Sequence, residues 1–439
     1  MRKRILAYRC GTASPTWGSA AYAPAVGRVT EAAERLWRGE LALDENPFMS
    51  FLGLEELVPE LAFVSGFANV TAFATSDGVL LVDTGSFVTG PQVAADVGAW
   101  TDRRVHTAIY THGHVDHAMG INAIERAQGS VRVVAHEAVV ARFERYRLTS
   151  GYNGIINARQ FRVPGLQWPT NYRLPDLRFA RDLELTLGGE RFCLHHDRGE
   201  TDDHVWVWAP ERKALCTGDL FIWAAPNCGN PQKVQRYPRE WAAALRKMEA
   251  LGAELLLPGH GPPILGADRV RQALAETAEL LETLVAQTLE LMNAGASLDE
   301  VLRAVRAPDH LLERPYLRPV YDEPEFVVRN LWRLYGGWYD GNPARLKPAP
   351  DAEVAREVAR LSGGPKRLAD HATELSDLGE HRLACHFAEM ASLAAPQDRG
   401  IRKARAAVYG ARAAAETSLM AKSVFRAAAK APPGGGRGR

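Results

Sequence analysis

The sequence predicts an α+β chain in which a layered, strand-rich domain precedes an all-α domain. Short alternating strands with turn signals run from "LAFVSGFANVTAFATSDGVLLVDTG" to about residue 265. Within them, the helical stretch "PQVAADVGAW" separates two apolar strands, which is typical of a β-α-β unit. Beyond residue 268 the pattern becomes helical, beginning with the amphipathic stretch "DRVRQALAETAELLETLVAQTLELMNAG" that ends at a glycine.

Four regions follow from these patterns. We predict an N-terminal extension at 1–60 with one helical stretch, "VTEAAERLWRGELAL", and the strand-rich domain at 61–267. A helical domain occupies 268–430, where several shorter helices rich in Ala, Leu and Arg follow the long one. The low-complexity end "APPGGGRGR", residues 431–439, is expected to be a disordered tail.

Composition excludes several classes of protein. The 53 basic and 52 acidic residues leave a net charge of +1, so no electrostatic field favours nucleic acid or an anionic membrane. Five scattered cysteines without C-x-x-C spacing indicate a reducing compartment. The N-terminal apolar run is too short for a signal peptide, and no segment approaches the roughly 20 apolar residues of a membrane span. We therefore expect a cytoplasmic protein without a nucleic-acid partner.

The stretch "THGHVDHAMG", residues 111–120, carries the first chemical signal. His112, His114, Asp116 and His117 follow directly after the apolar strand pattern "VHTAIY". Neutral imidazole suits zinc and iron, and an added carboxylate suits a hydrolytic site that keeps a position open for water. The spacing H-x-H-x-D-H predicts a metal site, and the alternative is a polar loop with satisfied histidines.

Three later stretches place an acid or a histidine just past a strand in the same way. They are "HHDRGETDDHVWVW" with Glu200, "CTGDLF" with Asp219 and "LLLPGHG" with His260. In this order, the ligand candidates resemble those of the metallo-β-lactamase superfamily. The resemblance implies a four-layer αβ/βα sandwich of hydrolases, followed here by the all-α domain. It also implies that Asp83, in "LLVDTG", is a structural support near the site.

The turn "RGETDDH" departs from the usual superfamily pattern, in which a histidine occupies the position of Glu200. It resembles the alkyl sulfatase branch, where a glutamate supplies that ligand. The resemblance implies two Zn²⁺ ions, with Mn²⁺ or Fe²⁺ as alternatives, and Asp219 between them. The implied ligands are His112, His114 and Glu200 for the first metal, and Asp116, His117 and His260 for the second.

Two further histidines flank Glu200 in the sequence. His196 and His204 are expected to orient the carboxylate of Glu200 from outside the ligand set, and the alternative is that one of them is a direct ligand.

The helical region carries a second resemblance. The stretch "PYLRPVYDEPEFVVRNLWRLYGGWYDGNPARLKP", residues 315–348, resembles the dimerisation domain of alkyl sulfatases, which implies a homodimer. Its aromatic residues are expected to pack in a core or an interface. The functional alternative is that the turn at Tyr339 and Asn342 closes one wall of a substrate pocket.

Together the resemblances imply a hydrolase in which a metal-bridging hydroxide cleaves a sulfate ester of an alkyl or aryl alcohol to the alcohol and sulfate. Asp116 and Asp219 are the candidate catalytic groups, because they could also steer the proton of the nucleophile. Residues 217–241 lack the histidine with which alkyl sulfatases contact sulfate. Lys233, Gln235, Arg236 and Arg239 are the groups that could replace it, with Arg236 our preferred candidate, or they form a solvated loop.

Two other functions stay open at this point. The altered stretch at 217–241 is compatible with a hydrolase of another small-molecule ester, a lactone, a thioester or a phosphoester. The stacked helical pattern at 351–430 is compatible with a non-catalytic dimeric scaffold. Sulfate release separates the first from a sulfatase, and failure to bind metal would favour the second.

Overall fold

Two β-sheets pack face to face in the strand-rich region, and helices cover the outer face of each sheet. The computed structural model describes residues 27–41 and 52–431. The order of layers is helix, sheet, sheet, helix, which confirms the predicted four-layer sandwich.

The first sheet changes from antiparallel to parallel along its strand order. Strands β1 to β4 pair antiparallel in sequence, and β4 to β7 pair parallel. Its seven strands are β1 (Gly53–Val58), β2 (Leu61–Ser65), β3 (Val70–Thr75), β4 (Gly78–Val82), β5 (Val105–Ile109), β6 (Arg132–His136) and β7 (Leu177–Phe179).

The second sheet is antiparallel except where β11 and β12 run parallel. Its six strands are β8 (Asp182–Leu187), β9 (Glu190–His196), β10 (Val205–Ala209), β11 (Ala214–Ile222), β12 (Leu255–His260) and β13 (Ile264–Leu265). Because β11 and β12 are parallel neighbours, their carboxyl ends lie side by side, and both carry predicted metal ligands.

Seven helices belong to the same part of the chain: α1 (Arg28–Trp37), α2 (Gly90–Trp100), α3 (Val115–Ala118), α4 (Ile121–Gln128), α5 (Val139–Leu148), α6 (Ser150–Phe161) and α7 (Pro238–Glu249). Helix α2 connects the parallel strands β4 and β5, which confirms the predicted β-α-β unit. Helices α5 and α6 were not predicted, because their mixed sequence "VVARFERYRLTSGYNGIINARQF" lacks a clear apolar period.

Side chains alternate between the two faces of the first sheet, so the sheet contributes to one core on each face. In β4, Leu80 and Val82 are buried between the sheets, whereas Val79 and Leu81 are buried on the opposite face with α2 and α4. A sheet buried on both faces explains why this strand reads as a continuous apolar run. On the outer face of the second sheet, α7 packs through Trp241 and Leu245.

The helical region begins with a 27-residue helix that ends two residues before Gly295, which has φ 83°. The predicted glycine stop is therefore confirmed. The helices are α8 (Ala267–Asn293), α9 (Leu298–Ala304), α10 (Asp309–Leu312), α11 (Pro324–Gly336), α12 (Asp351–Leu361), α13 (Pro365–Asp377), α14 (His381–Ala394), α15 (Arg399–Ala415) and α16 (Leu419–Lys430), with a 3₁₀ turn at Pro343–Arg345. A further 3₁₀ turn, Pro210–Arg212, lies between β10 and β11 of the second sheet.

The last helix returns to the strand-rich region. The hydroxyl of Ser423 in α16 donates to the carbonyl of Gln160 in α6 at 2.9 Å, and the hydroxyl of Ser418 donates to the carbonyl of Tyr321 at 3.0 Å. The helical region thereby packs directly against α6.

The α+β fold class is confirmed, while the domain boundaries stay predictions. Strand β1 lies inside the predicted extension at 1–60 and pairs with β2, and its Glu55 accepts a hydrogen bond from the backbone of Val29 at 2.6 Å. The predicted tail falls outside the described residues from 432 onward. Among the described residues, no helix is both long and apolar enough to cross a bilayer. The cytoplasmic location stays a prediction.

The inter-sheet core supports a stability prediction. Phe192 in β9 is fully buried, and its ring lies 5.1 Å from that of Phe73 in β3. Phe192→Ala should lower the free energy of unfolding by about 3–5 kcal/mol, because it leaves a cavity between the sheets. Urea denaturation followed by circular dichroism measures this, with the half-exposed Phe87→Ala as the control within about 0.5 kcal/mol. Equal effects of the two changes would contradict the packing described.

Candidate metal centre

The first sheet supplies four of the predicted ligands just beyond one strand. His112 and His114 lie in the loop after β5, and Asp116 and His117 lie in the short helix α3. His112 and His117 are buried, while His114 and Asp116 are partly exposed.

The second sheet supplies the other three. Glu200 lies in the loop between β9 and β10, Asp219 lies within β11, and His260 is the last residue of β12. All three are buried. The approach of β12 to β11 requires glycine at Gly259, because a Cβ there would lie 2.1 Å from Oδ1 of Asp219.

Four side chains form the first group. Oε2 of Glu200 lies 3.1 Å from Nδ1 of His114 and 3.5 Å from Nε2 of His112. The two imidazole nitrogens face each other at 2.7 Å. Oδ2 of Asp219 lies 3.9 Å from Nε2 of His112, and the ligand atoms of the group are all within 4.8 Å of one another.

Three side chains form the second group. Oδ2 of Asp116 lies 3.6 Å from Nε2 of His260 and 3.8 Å from Nε2 of His117. The two histidine nitrogens are 3.4 Å apart. Asp219 also reaches this group, with Oδ1 at 3.2 Å from His117 and Oδ2 at 3.3 Å from His260. The structure therefore brings all seven predicted ligands together, with Asp219 between the two groups.

Hydrogen bonds on the far side of the rings fix which nitrogen faces each group. Thr111 donates its hydroxyl proton to Asp83, so it accepts from Nδ1 of His112. Nδ1 of His117 donates to Asp83 at 2.7 Å, and Nδ1 of His260 donates to the carbonyl of Phe67. Nε2 of each of these three rings therefore faces the cluster, as the ligand nitrogen of a metal-binding histidine does.

The pKa values of these groups are strongly shifted. Burial lowers the pKa of His112 well below its usual value, and nearby His117 and His114 lower it further, so its ring is neutral. Burial alone would raise the pKa of Asp219, but His260 and His117 hold it well below its usual value. Burial would likewise raise the pKa of Glu200, but Arg236 and His114 lower it to about 2. The buried carboxylates are therefore ionised.

The donor set fits divalent cations. Oε2 of Glu200 and Oδ1 of Asp219 are buried and accept no hydrogen bond among the described residues. Buried ionised oxygens are costly unless a positive charge compensates them. Imidazole nitrogens together with carboxylates are the ligands that zinc and iron prefer.

Asp83 holds the loop after β5 through three hydrogen bonds. Its carboxylate accepts from the backbone N–H of Thr111 at 2.7 Å, from the hydroxyl of Thr111 at 2.8 Å and from His117. Asp83 has φ 62°, a left-handed conformation that is uncommon for a residue with a side chain. These contacts place Asp83 where its predicted supporting role requires.

The two flanking histidines differ in position. His204 is fully buried; its ring stacks 5.0 Å from that of His112, and its Nε2 accepts from the backbone N–H of Asp219 at 3.1 Å. Burial lowers its pKa to about 4. His196 instead stacks on His136 at 3.6 Å and donates to the carbonyl of Asp202 at 2.9 Å. Neither histidine belongs to the two ligand groups, and neither hydrogen-bonds Glu200 among the described residues.

Arg236 and Asn227 hold Glu200 in place. The guanidinium of Arg236, nearly fully buried, donates to the carbonyl of Glu200 and lies 3.3 Å from its Oε1. The amide of Asn227 donates to the same carboxylate oxygen. Asn227 was not predicted, because no local sequence pattern reveals its contact with Glu200 across 27 residues. Contact of Arg236 with a substrate stays a prediction.

Tyr339 and Asn342 lie on an exposed segment. The carbonyl of Tyr339 accepts from Trp332, and the side chain of Asn342 caps the 3₁₀ turn Pro343–Arg345. No hydrogen bond or ion pair among the described residues links either one to the two ligand groups. Their role at a substrate pocket stays a prediction.

Two protein families match this sequence. Residues 65–260 match the metallo-beta-lactamase superfamily, and residues 297–433 match the family described as alkyl sulfatase dimerisation. The first match covers the strands and loops that carry all seven ligand candidates. The second covers most of the helical region.

Two curated alkylsulfatases and a solved alkylsulfatase structure are similar to this chain. A linear primary-alkylsulfatase of Pseudomonas sp. (strain ATCC 19151) is 28% identical over 319 residues, which cover 66% of this chain and 60% of the relative. An (R)-specific secondary-alkylsulfatase of Pseudomonas sp. is 25% identical over 81% of this chain and 58% of the relative. The solved structure of the inverting sec-alkylsulfatase Pisa1 has a TM-score of 0.77 at 24% identity, covering 86% of this chain and 65% of Pisa1. The chain thus spans about 60% of the length of the curated relatives.

His114 lies in the first ligand group and His204 lies outside both groups, so substitutions at the two positions should affect metal binding differently. His114→Ala should leave no more than about one metal per chain, because it removes a nitrogen from the first group. His204→Ala should weaken metal affinity by about 10-fold without abolishing binding, because His204 contacts Asp219 and His112 from outside the groups. Metal content after equilibrium dialysis against zinc measures both, with partly exposed His195→Ala as the control. Full metal occupancy in His114→Ala would show the ligand assignment to be wrong.

Proposed function

Because the chain belongs to the metallo-β-lactamase superfamily and carries an alkyl sulfatase dimerisation region, we propose that it is a metal-dependent hydrolase of sulfate esters. It would release an alcohol and sulfate. The observation that carries the proposal is Glu200, a carboxylate in the first ligand group, which is held by Arg236 and Asn227 and lies 3.1 Å from His114. The alkylsulfatases among its relatives support the same substrate class.

The proposed site holds two zinc ions, with Mn²⁺ or Fe²⁺ as alternatives. His112, His114 and Glu200 would bind one ion, and Asp116, His117 and His260 the other, with Asp219 shared. When bound, such a metal pair lowers the pKa of a water and neutralises charge that develops on the ester oxygens. Asp116 and Asp219 supply carboxylate oxygens within the cluster that can accept the proton of the attacking water. Asp83 keeps the loop of His117 fixed while this happens.

Lys233 is the cation best placed to bind the sulfate group. Of the other candidates, Gln235 is hydrogen-bonded to Asn330 at 2.8 Å, Arg236 is committed to Glu200, and Arg239 is exposed. The ammonium of Lys233 donates to Oδ1 of Asn157 at 2.8 Å and lies 5.6 Å from the ring centroid of Trp168. Burial and the charge of Arg236 lower its pKa to about 7, while Glu200 and Asp116 oppose this.

An apolar cluster next to His260 suits an alkyl or aryl group. The ring of Phe67 lies 5.2 Å from that of His260 and 5.5 Å from that of Phe161. Both phenylalanines are only partly buried, and they pack against the buried Ile222 and Tyr321. An ester whose sulfate lies near Lys233 could place its hydrocarbon part on this surface.

We further propose that the protein acts as a homodimer. The dimerisation region exposes Tyr335, Trp338 and Tyr339, with Trp338 71% exposed. Exposed aromatic side chains of this kind commonly anchor interfaces between proteins. This exposure supports packing of these side chains in an interface rather than in a core.

A hydrolase of another ester class is the second candidate. It is favoured by the absence of histidine from the sequence between His204 and His260, where Lys233 replaces the histidine-containing stretch of alkyl sulfatases. A lysine whose pKa is near 7 can bind carboxylate or phosphate as well as sulfate. The non-catalytic scaffold is disfavoured by the retention of all seven ligand candidates in two groups.

Sulfate release tests the proposed reaction. Zinc-loaded protein should release sulfate from medium and long alkyl sulfates or from aryl sulfates, and Glu200→Ala should reduce release at least about 100-fold. The exposed Glu211→Ala, which loses an ion pair and a backbone hydrogen bond with Arg191 far from the ligand groups, is the matched control. No release by protein that carries two metals would reject the sulfatase and favour the second candidate.

The pKa of Lys233 yields a pH prediction. The ammonium form predominates below pH 7 and is lost above it, so KM for an anionic ester should rise between pH 6 and pH 8. Lys233→Arg should remove this rise, because arginine stays charged. Lys233→Gln should lower kcat/KM by about 10- to 100-fold through loss of a charged hydrogen bond. The exposed Lys213→Gln is the control, and an unchanged pH profile in Lys233→Arg would contradict the assignment.

A further inference from the structure

A buried ion pair joins helix α5 to the loop that carries Glu200. Nε of Arg142 donates to Oδ1 of Asp203 at 2.7 Å, and the two side chains are 2% and 0% exposed. Arg142 also pairs with Asp202 on the same loop. Helix α5 is itself anchored in the core of the first sheet through Val139 and Phe143. The ion pair therefore ties the loop to a rigid element.

Asp203 also holds the neighbouring ligand loop. Its other oxygen, Oδ2, accepts from the backbone N–H of Gly113 at 2.9 Å, and Gly113 lies between His112 and His114. A Cβ on Gly113 would lie 2.9 Å from Cδ of Arg142 and 3.0 Å from Oδ2 of Asp203, so the loop packs directly on the ion pair. One carboxylate thus lies on the loop of Glu200 and contacts the loop of His112 and His114, the three ligands that belong to the first group alone.

The two histidines of the second group are held by residues other than Asp203 and Arg142. Asp83 holds His117, and the carbonyl of Phe67 holds His260. Among the described residues, no hydrogen bond links Asp203 or Arg142 to Asp116, His117 or His260. Of the ligand loops, Asp203 therefore contacts only those of the first group, whereas Asp83 contacts His117 directly and reaches His112 only through Thr111.

We propose that Asp203 and Arg142 are positioning residues that set the metal affinity of the first group and leave that of the second unchanged. This inference rests on the metal centre of the proposed function and is independent of the ester that the protein cleaves. Groups that orient metal ligands typically change metal affinity by about 10- to 100-fold when they are altered.

The test is zinc affinity of chelator-treated protein, measured by competition with a chromogenic chelator. Asp203→Asn keeps the size of the side chain and an oxygen for Gly113 but removes the ion pair. It is made in two backgrounds, His260→Ala, which leaves the first group intact, and His114→Ala, which leaves the second. In the first background Asp203→Asn should weaken the remaining zinc site by about 10- to 100-fold, and in the second it should change affinity less than about 3-fold.

Asp176→Asn is the matched control. Asp176 also accepts a backbone N–H, that of Val133 in β6 at 2.8 Å, and pairs with Arg173 at 2.9 Å, but it lies just before β7 and has no hydrogen bond or ion pair with either ligand loop among the described residues. It should leave zinc affinity unchanged in both backgrounds. Arg142→Lys is a second variant of the ion pair. It keeps the positive charge but cannot contact Asp202 and Asp203 at the same time as the guanidinium does.

The melting temperature of the metal-free protein shows whether a variant loses zinc affinity because its ligands are poorly positioned or because the fold is less stable. If Asp203→Asn unfolds in the absence of metal, Arg142→Lys supplies the comparison under the same conditions. Equal loss of affinity in both backgrounds, or no loss in the His260→Ala background, would overturn the inference. These outcomes do not depend on sulfate release, so a failure of the proposed function remains distinguishable from a failure of this one.

Discussion

The position of Asp219 between two groups of histidines is the constraint on which the rest of the site depends. Its carboxylate lies within 3.2–3.9 Å of His112, His117 and His260, so one side chain is shared by both halves of the centre. A buried carboxylate in that position repels Glu200 and Asp116 unless positive charge lies between them. The surrounding strands and loops hold these negatively charged side chains close together.

Sheet geometry makes that arrangement possible. Strands β11 and β12 run parallel, which brings Asp219 and His260 to one end of the second sheet, and β5 of the first sheet ends at Ile109, two residues before Thr111. Gly218 has φ 50°, and a Cβ there would lie 2.7 Å from Thr111 and 2.8 Å from His204. The two sheets therefore meet at the metal centre with no room for a side chain at this point. Packing and metal chemistry constrain the same few residues.

Much of this could be predicted from sequence, because the decisive patterns are local. His112, His114, Asp116 and His117 lie within six residues, and of the remaining ligands Glu200 follows an apolar strand, His260 ends one and Asp219 lies inside one. Contacts between distant segments were not predictable in the same way. Asp203 and Arg142 are 61 residues apart, and Arg236 reaches Glu200 across 36. No periodicity or motif links such pairs, and only the fold brings them together.

A crystal structure of the zinc-loaded protein, with anomalous data collected at the zinc edge, shows whether two metals bind around Asp219. Two anomalous peaks about 3.5–4 Å apart are expected. One peak should be ligated by His112, His114 and Glu200, the other by Asp116, His117 and His260, and Asp219 should contact both. A single peak, or a pair of peaks that Asp219 does not touch, would contradict this arrangement.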